Sequence, residues 1–379
     1  MIYLDNAATS FPKPRNMIAA MEGCALKYCG NPGRSGHHMS MKTGEEVYRA
    51  RRAVADLFNI DRAERLVFTK NTTEALNLGL KGFLRHGDHV VTTAMEHNSV
   101  LRPLKELEKR GVSHSIVPAD GCGQVRVQDV ERAIRGNTRL LVVTAASNVT
   151  GTRLPLPELG RLARSRKLCF MVDGAQGAGA LELDVQKLGI DMLAIPGHKG
   201  LLGPLGTGAL YAAPSVSLCP LLQGGTGTES RSRQQPLEFP EGFEAGTVNA
   251  PAIIGLGRSA EFVRRVGPDV IGAYEEDLIR YLDEGLRNMV FVELYGPPAA
   301  QKIGISLFNI EGMDAEEVTS VLSSRYDIAV RGGYHCAGLA HKAIGIWERG
   351  AVRASVGPFN TRRDIDALLD ALWQIGRQR

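Results

Sequence analysis

Four short polar motifs carry the residues best suited to chemistry. They are Thr72-Thr73-Glu74-Ala75, Met95-Glu96-His97-Asn98, Asp173-Gly174-Ala175-Gln176 and Gly197-His198-Lys199-Gly200. The lysine amine can form an imine with an aldehyde, and the aspartate can pair with a protonated ring nitrogen. The imidazole can stack on a planar ring, and hydroxyls at a helix start can bind an anion together with backbone N–H groups. Each motif alone is also explained by a cap, a turn or a loop, so their relative positions decide the interpretation.

The segments between these motifs indicate a parallel sheet. From about Leu66 to Tyr211, short β-rich runs alternate with helical patterns, which is typical of a sheet covered by helices on both faces. The predicted strands are Leu66–Thr69, Val90–Thr93, Ser113–Val117, Leu140–Ala145, Cys169–Asp173, Met192–Ile195 and Gly208–Tyr211. The predicted helices between them are Thr73–Leu84, Val100–Lys109, Val127–Ile134 and Pro157–Ser165, and a further predicted helix, Gly44–Phe58, precedes this region. Most of the motifs directly follow a strand, at the edge where open α/β sheets bind ligands.

The C-terminal third of the chain has a different pattern. A stretch rich in Gly, Thr, Ser, Arg and Gln, Gly224–Pro240, predicts a loop. After it, the predicted helices are Ile271–Met289, Ala315–Arg325 and Asp364–Ile375, and the predicted strands are Ile303–Phe308 and Ile328–Arg331. This mixture predicts a second, smaller α+β domain.

The composition excludes several classes of protein. The chain has 379 residues, of which 44% are hydrophobic, and a net charge of +4, so a large core is expected and nucleic acid is not an expected partner. No apolar run approaches the length of a membrane span, and the N-terminus lacks the regions of a signal peptide. The six cysteines form no C-x-x-C pair and have no accompanying His-rich spacing. We therefore expect reduced thiols, no metal site and a cytoplasmic location.

In their order along the chain, the motifs resemble the class V aminotransferase family of fold-type I enzymes that depend on pyridoxal 5′-phosphate (PLP). Further matching segments are Tyr3-Leu4-Asp5-Asn6-Ala7-Ala8, Ser147-Asn148-Val149, Phe243-Glu244-Ala245-Gly246-Thr247 and Arg353-Ala354-Ser355. The resemblance implies an α/β fold with a large PLP-binding domain over residues 21–255, built on a mostly parallel seven-stranded sheet. It also implies a smaller C-terminal α+β domain over residues 256–379, with residues 1–20 packing against it.

The resemblance assigns the residues around the PLP ring. Lys199 resembles the lysine that forms the Schiff base, and Asp173 matches the partner of the pyridine nitrogen. Gln176 matches the residue that hydrogen-bonds the ring hydroxyl, and His97 matches the residue that stacks on the ring. Lys199 and His97 are accordingly the expected catalytic residues of the cofactor site.

The resemblance also assigns the phosphate ligands, with one departure. Thr72, Thr73 and His198 look like phosphate ligands, and Thr247 matches a ligand that family members lend from the neighbouring subunit, which implies a homodimer. Many relatives have Ser or Thr two residues before the histidine, where this chain has Pro196. The missing hydroxyl costs the phosphate one hydrogen bond, typically ~1 kcal/mol or more.

The segment Arg331-Gly332-Gly333-Tyr334-His335-Cys336 resembles the R-x-G-x-x-C segment of the Suf-type, group II cysteine desulfurases. In those enzymes the cysteine lies on a short loop above the PLP. Cys336 is therefore the expected nucleophile, which takes the sulfur of L-cysteine as a persulfide while L-alanine is released. A thiolate is needed for this attack, and Arg331 and His335 could supply positive potential. The other five cysteines are interpreted as structural.

The expected substrate residues come from the same resemblance. Arg353 matches the arginine that binds the substrate carboxylate, and a planar guanidinium suits this task. Asn148, His37 and Arg331 match further substrate-side residues, and Arg34 and His37 lie in a loop that those enzymes fold over the site. The persulfide would then pass to a sulfur-acceptor protein such as an iron–sulfur scaffold, a small sulfur carrier or a thiolation enzyme.

Two other interpretations remain open at this point. The chain could be a selenocysteine lyase acting on L-selenocysteine, or another class V aminotransferase or carbon–sulfur lyase. It could also be a non-catalytic scaffold in iron–sulfur cluster assembly, although the intact Lys199, Asp173, His97 and Arg353 argue against this.

Overall fold

The computed structural model describes residues 1–33 and 36–377. Its strands are β1 (Ile2–Tyr3), β2 (Leu66–Thr69), β3 (His89–Thr93), β4 (Ser113–Val117), β5 (Thr138–Thr144), β6 (Cys169–Asp173), β7 (Met192–Pro196), β8 (Gly208–Ala212), β9 (Val292–Tyr295), β10 (Ile305–Ile310), β11 (Ile328–Ala329) and β12 (Val352–Ser355). Its α-helices are α1 (Arg15–Lys27), α2 (His38–Leu57), α3 (Thr72–Phe83), α4 (Asn98–Leu107), α5 (Val127–Ala133), α6 (Leu156–Ser165), α7 (Val185–Leu188), α8 (Ala250–Val266), α9 (Pro268–Arg287), α10 (Ala315–Tyr326), α11 (Gly338–Ala343) and α12 (Arg362–Arg377).

A seven-stranded sheet forms the centre of the larger unit. Its strand order is β2-β8-β7-β6-β5-β3-β4, and β8 runs antiparallel to both of its neighbours while the other neighbouring strands are parallel. The strands β6 and β7 end at Asp173 and Pro196. Residues 140–143 of β5 are completely buried, as expected for a parallel strand covered on both faces. The α/β fold class predicted from the sequence is therefore confirmed.

A smaller antiparallel sheet lies in the C-terminal part of the chain. Strand β10 pairs with β9 on one side and with β12 on the other. Apolar residues of α9, α10 and α12 form one buried cluster with these strands, and Leu4 belongs to the same cluster. The N-terminal strand β1 pairs in parallel with β11, so the first residues of the chain lie against the C-terminal part.

The predicted strands of the large sheet are all present, and their ends differ from the predicted ones by at most two residues. Helix α2 begins six residues before its predicted start because the side chain of His37 caps it, accepting from the backbone N–H of Ser40. Helix α8 was not predicted, since Gly255 and Gly257 lower helix propensity. A Cβ at Gly257 would lie 2.5 Å from Ala50 of α2, so the glycine allows the two helices to approach closely.

The predicted domain boundaries both fall inside helices, at residue 20 in α1 and at residue 255 in α8. Helix α8 runs across residues 255 and 256 and contributes apolar side chains to the core of the large sheet. The boundaries at residues 20 and 255 therefore stay a prediction. No helix in residues 1–33 or 36–377 is long and apolar enough to cross a membrane.

Candidate active site

Lys199 lies on a tight turn that follows β7. A Cβ at Gly197 would collide with the side chain of Thr207, and one at Gly200 would collide with the carbonyl of Ala178. The two glycines are thus required by close packing, and this packing fixes the backbone of the lysine between them. Burial lowers the pKa of the Lys199 amine to about 8, with a smaller contribution from nearby Arg353. A sizeable fraction of the amine is therefore uncharged, and so nucleophilic, close to neutral pH.

Asp173 ends the neighbouring strand β6 and is 2% exposed. Its carboxylate Oδ1 accepts a 2.9 Å hydrogen bond from the backbone N–H of Ala175. Burial raises the pKa of the carboxyl to about 6, against the opposing effects of that hydrogen bond and of Lys199. A buried carboxylate is suited to a cationic partner. Gln176 follows, and its amide donates to the carbonyl of Ala7 in the N-terminal segment.

His97 caps helix α4. Its Nδ1 accepts a 3.0 Å hydrogen bond from the backbone N–H of Ser99. Burial, followed by the charge of Lys199, lowers the pKa of the imidazole to about 4, so the ring is neutral at pH 7. Because Nδ1 is an acceptor, the ring proton lies on Nε2. The hydroxyl of Ser99 also lies 2.8 Å from that of Thr73, which links this histidine to the start of α3.

The start of helix α3 and His198 form a polar end of the same cavity. Thr72 and Thr73 are the first residues of this 12-residue helix, so their backbone N–H groups have no intrahelical acceptor and point out of its N-terminus. Nδ1 of His198 is buried and has no hydrogen-bond partner within the described part of the chain. Burial lowers the pKa of this imidazole to about 4. An unpaired buried nitrogen beside a helix N-terminus fits an anionic group such as a phosphate.

These residues surround one cavity. Its lining is Asn71, Thr72, Thr73, Leu76, His97, Ser99, Thr144, Asn148, Asp173, Ala175, Gln176, His198 and Lys199. The cavity combines an amine for an aldehyde, a buried carboxylate for a ring nitrogen, an imidazole for a ring face and a helix N-terminus for a phosphate. This set of groups fits PLP. Pro196 occupies the end of β7 and offers no hydroxyl, so the predicted departure from the family pattern remains in place.

Arg353 lies in the middle of β12 and is 1% exposed. Its guanidinium donates to the carbonyl of Asn148 at 2.8 Å and forms a 2.9 Å ion pair with Asp5. Nε is buried and has no partner among the described residues. A buried guanidinium with an unused donor is prepared to bind a carboxylate. Asn148 in turn lines the Lys199 cavity, which places the arginine beside that cavity.

Cys336 is exposed and lies on a tight turn before α11. His335 and Cys336 have φ angles of 52° and 57°, and the N–H of Ala337 donates to the carbonyl of Tyr334. Left-handed backbone costs residues with a side chain roughly 1–2 kcal/mol each, so neighbouring contacts must hold the turn.

Two such contacts come from the large unit. The backbone N–H of Asn98 donates to the carbonyl of Cys336 at 2.9 Å. The side-chain amide of Asn148 donates to the carbonyl of His335 at 2.6 Å. Cys336 does not line the Lys199 cavity itself, but its turn is held against the start of the helix that His97 caps and against Asn148, which lines that cavity.

The electrostatics of this turn differ from the sequence expectation. His335 is 4% exposed, and burial lowers its pKa well below the usual value. The ring is neutral at pH 7, so the idea that it supplies positive potential to the thiol is wrong. Arg331, whose backbone pairs with that of Arg353, remains the charged group of the motif near Cys336.

The remaining predicted residues lie apart from this cavity. His37 is exposed at the start of α2, and Thr247 is exposed in the loop before α8, where it lines a different cavity with Glu74 and Glu244. Neither lines the Lys199 cavity of its own chain. Arg34 lies outside the described residues.

Several site residues were given no role from the sequence. Asp5 pairs with Arg353, Ser99 joins His97 to Thr73, and His341 hydrogen-bonds His335. These contacts join residues that lie far apart in the sequence or that are ordinary polar residues. Neither kind of contact leaves a short sequence motif. Of these three residues, only Asp5 lay within a segment that matches the family. The one available signal was that a buried arginine needs a partner.

The comparisons with known proteins bear on this arrangement. The family model for aminotransferase class V matches residues 2–368. The chain belongs to the class V aminotransferase family. A "Probable cysteine desulfurase" of Methanothermobacter thermautotrophicus is 39% identical over 381 residues, which covers 99% of this chain and 94% of the relative. A cysteine desulfurase of Salmonella agona is 35% identical over 387 residues, with coverage of 100% and 94%.

Solved structures agree with the sequence relatives. The structure of a cysteine desulfurase from Thermococcus onnurineus superposes with a TM-score of 0.94 at 35% identity, covering 100% of this chain and 95% of the other. A cysteine desulfurase from Escherichia coli gives a TM-score of 0.88 at 29% identity, with coverage of 98% and 94%. Membership of this PLP-dependent family, together with the fit of the cavity, identifies PLP as the cofactor of this class V enzyme.

Proposed function

We propose that this chain is a PLP-dependent cysteine desulfurase that converts L-cysteine to L-alanine and retains the sulfur as a persulfide on Cys336. The observation that carries the proposal is the position of this exposed thiol. Its turn is hydrogen-bonded to Asn148, which lines the Lys199 cavity and also receives a hydrogen bond from Arg353. The names of the relatives support L-cysteine as the substrate.

Arg353 is proposed to bind the substrate carboxylate. The guanidinium is already oriented by Asp5 and by the carbonyl of Asn148, and its buried Nε has no partner within residues 1–33 and 36–377. Preorganisation of this kind reduces the entropy lost when the carboxylate binds. The bound carboxylate would fix the substrate side chain relative to Cys336.

Lys199 is proposed to move the proton of the substrate Cα. PLP, when bound, holds the substrate amino group covalently and withdraws electrons from Cα. Lys199, as a free amine in this step, accepts the proton at Nζ. A pKa near 8 suits both directions of transfer, because the same group can later return a proton to carbon. Asp173 holds the ring nitrogen protonated, and the neutral His97 covers the ring face.

Cys336 is proposed to take the sulfur. Its thiolate attacks the substrate Sγ, so an S–S bond forms as the Cβ–S bond breaks, and the electron pair of the broken bond stays on the substrate carbon. Protonation of that carbon gives alanine. One L-cysteine and one Cys336 thiol thus yield one L-alanine and one Cys336 persulfide, with no external oxidant or reductant.

The wider setting is part of the same proposal. The persulfide would pass to a sulfur-acceptor protein, as in iron–sulfur cluster assembly, and the exposure of Cys336 supports such a transfer. L-selenocysteine is a possible second substrate. The exposed position of Thr247 supports a homodimer in which this residue serves the partner's cofactor. The six free cysteines support a reducing location such as the cytoplasm.

Alanine release by a Cys336→Ala variant tests the proposal. The substitution leaves the PLP ligands intact, so the variant should keep its visible absorbance while alanine release from L-cysteine falls by a factor on the order of 10². With L-selenocysteine the loss should be much smaller. The matched control is Cys219→Ala, which removes another exposed thiol and should retain full activity. Unchanged desulfurase activity in Cys336→Ala would favour a lyase or an aminotransferase instead.

A further inference from the structure

Two buried histidines form a pair behind the Cys336 turn. The ring centroids of His335 and His341 lie 5.4 Å apart with an interplanar angle of 17°. Nδ1 of His335 lies 3.2 Å from Nε2 of His341. The rings are 4% and 0% exposed. Because His341 belongs to α11, the pair connects the turn to the helix that follows it.

The hydrogen-bond partners determine where the two ring protons lie. Nε2 of His335 lies 3.3 Å from the carbonyl oxygen of Arg331, which can only accept, so this nitrogen carries the proton. Nδ1 of a neutral His335 is then an acceptor, and Nε2 of His341 must donate to it. The pair therefore forms a chain in one direction, from His341 through His335 to the backbone of Arg331.

Both rings are neutral at pH 7. Burial lowers the pKa of His341 to about 4, and burial followed by the charge of Arg353 lowers that of His335 well below its usual value. The groups that face the pair are Arg331 and Arg353, which oppose a charge on His335, and the ring of Tyr334, 5.4 Å from that of His341. Protonation of His335 would place a hydrogen on Nδ1, the nitrogen that accepts from His341, and would break the donor–acceptor order of the chain.

Within residues 1–33 and 36–377, His341 is the one side chain that hydrogen-bonds the imidazole of His335. Asn148 and Asn98 hold the carbonyls of the turn, whereas the imidazole of His335 is bonded to His341 and to Arg331. Nδ1 of His341 is buried and has no partner in the described residues. The buried His341 ring thus makes one side-chain hydrogen bond, and that bond is directed at the residue beside the nucleophile.

We propose that His341 is a positioning residue for Cys336: by donating to His335, it keeps the left-handed turn in the conformation that presents the thiol to the substrate sulfur. The proposal rests on the proposed function, since it concerns the same nucleophile. His341 does not touch the substrate or PLP in this account, and it acts only through His335.

Substitutions at His341 separate the hydrogen bond from the volume of the ring. In His341→Phe the ring volume remains but the donor is lost, whereas the amide of His341→Gln can still donate to His335. With the PLP-loaded enzyme and L-cysteine, we expect His341→Phe to slow single-turnover sulfur transfer to the Cys336 peptide by about tenfold or more, as small misplacements of reacting groups do. His341→Phe should change neither the cofactor absorbance nor the concentration of L-cysteine that half-saturates the spectral change. His341→Gln should recover most of the rate, and the control His114→Phe, in strand β4, should match the wild type.

The outcomes distinguish this proposal from the one on which it rests. A wild-type enzyme that acquires no sulfur on Cys336 would overturn both. If the wild type does acquire sulfur on Cys336, two results would overturn the positioning role alone. One is a His341→Phe variant as fast as the wild type, and the other is a His341→Gln variant as slow as His341→Phe. If His341→Phe does not fold, ¹⁵N spectra of the wild-type imidazoles decide. A His341 ring with a proton on Nε2 near pH 7 supports the proposal, and a neutral ring with its proton on Nδ1 contradicts it.

Discussion

Asp173→Asn should have opposite effects on the protein without PLP and on the holoenzyme. Without PLP, the buried carboxyl has its pKa raised from 3.8 to about 6. Between these values the native state holds a proton that the unfolded state has lost, so the free energy of unfolding of the wild type falls as the pH rises. Because one pKa unit corresponds to about 1.4 kcal/mol, the full cost of the ionised carboxylate is about 3 kcal/mol.

The asparagine variant does not titrate and therefore lacks this cost. The variant carries a constant penalty for its extra buried amide donors, so the informative quantity is how the stability difference from the wild type changes with pH. From about pH 4.5 to about pH 7.5, this difference should shift by about 2 kcal/mol in favour of Asp173→Asn. Denaturant unfolding of the two PLP-free proteins, at equal protein concentration, measures it.

In the holoenzyme the substitution should be unfavourable. A protonated ring nitrogen stabilises the Asp173 carboxylate, so the pH-dependent difference in stability should disappear when PLP is bound, and Asp173→Asn should bind PLP less tightly. Its kcat should fall by a factor on the order of 10² because the neutral amide cannot hold the ring nitrogen protonated. A stability difference that is independent of pH in the PLP-free proteins would refute the assignment of Asp173 as a strained, buried carboxylate.

Three further substitutions test other parts of the site. Lys199→Ala should lose the visible absorbance near 420 nm, roughly where protonated PLP imines absorb. In the wild type, borohydride should fix PLP covalently to the peptide that contains Lys199. PLP label on another peptide would contradict the assignment. Arg353→Lys should raise KM for L-cysteine by about 10- to 100-fold, since charged hydrogen bonds contribute about 1.5–3 kcal/mol; an unchanged KM would contradict its role. Thr247→Ala should weaken PLP binding about tenfold, and mixed dimers of Lys199→Ala with Thr247→Ala chains should regain one site of wild-type PLP affinity. Mixed dimers without such a site would show that Thr247 does not act across the interface.

The sequence predicted the large sheet well because its signals are local. Runs such as residues 140–143 are apolar without interruption, and the loops after the strands carry recognisable polar motifs. Helix α8 was not predicted because its glycines, which tertiary packing requires, count against a helix locally. Strand β12 was also not assigned, since a buried arginine at its centre is unusual for a strand.

The electrostatic part of the site could not be predicted in the same way. The low pKa of His335 depends on burial and then on the charge of Arg353, and the orientation of Arg353 depends on Asp5 at the other end of the chain. Residue types and spacing indicate which groups are present. Only the fold determines which of them are desolvated and paired, and so which carry charge.

The central claim is that Cys336 receives the substrate sulfur, and mass spectrometry of its peptide tests this most directly. The PLP-loaded wild type is exposed briefly to L-cysteine without reductant and then digested after the thiols are blocked. We predict one added sulfur on the peptide that contains Cys336, with none on the peptide of the exposed Cys219 and with alanine formed in equal amount. Alanine formed while the Cys336 peptide remains unmodified would contradict the account.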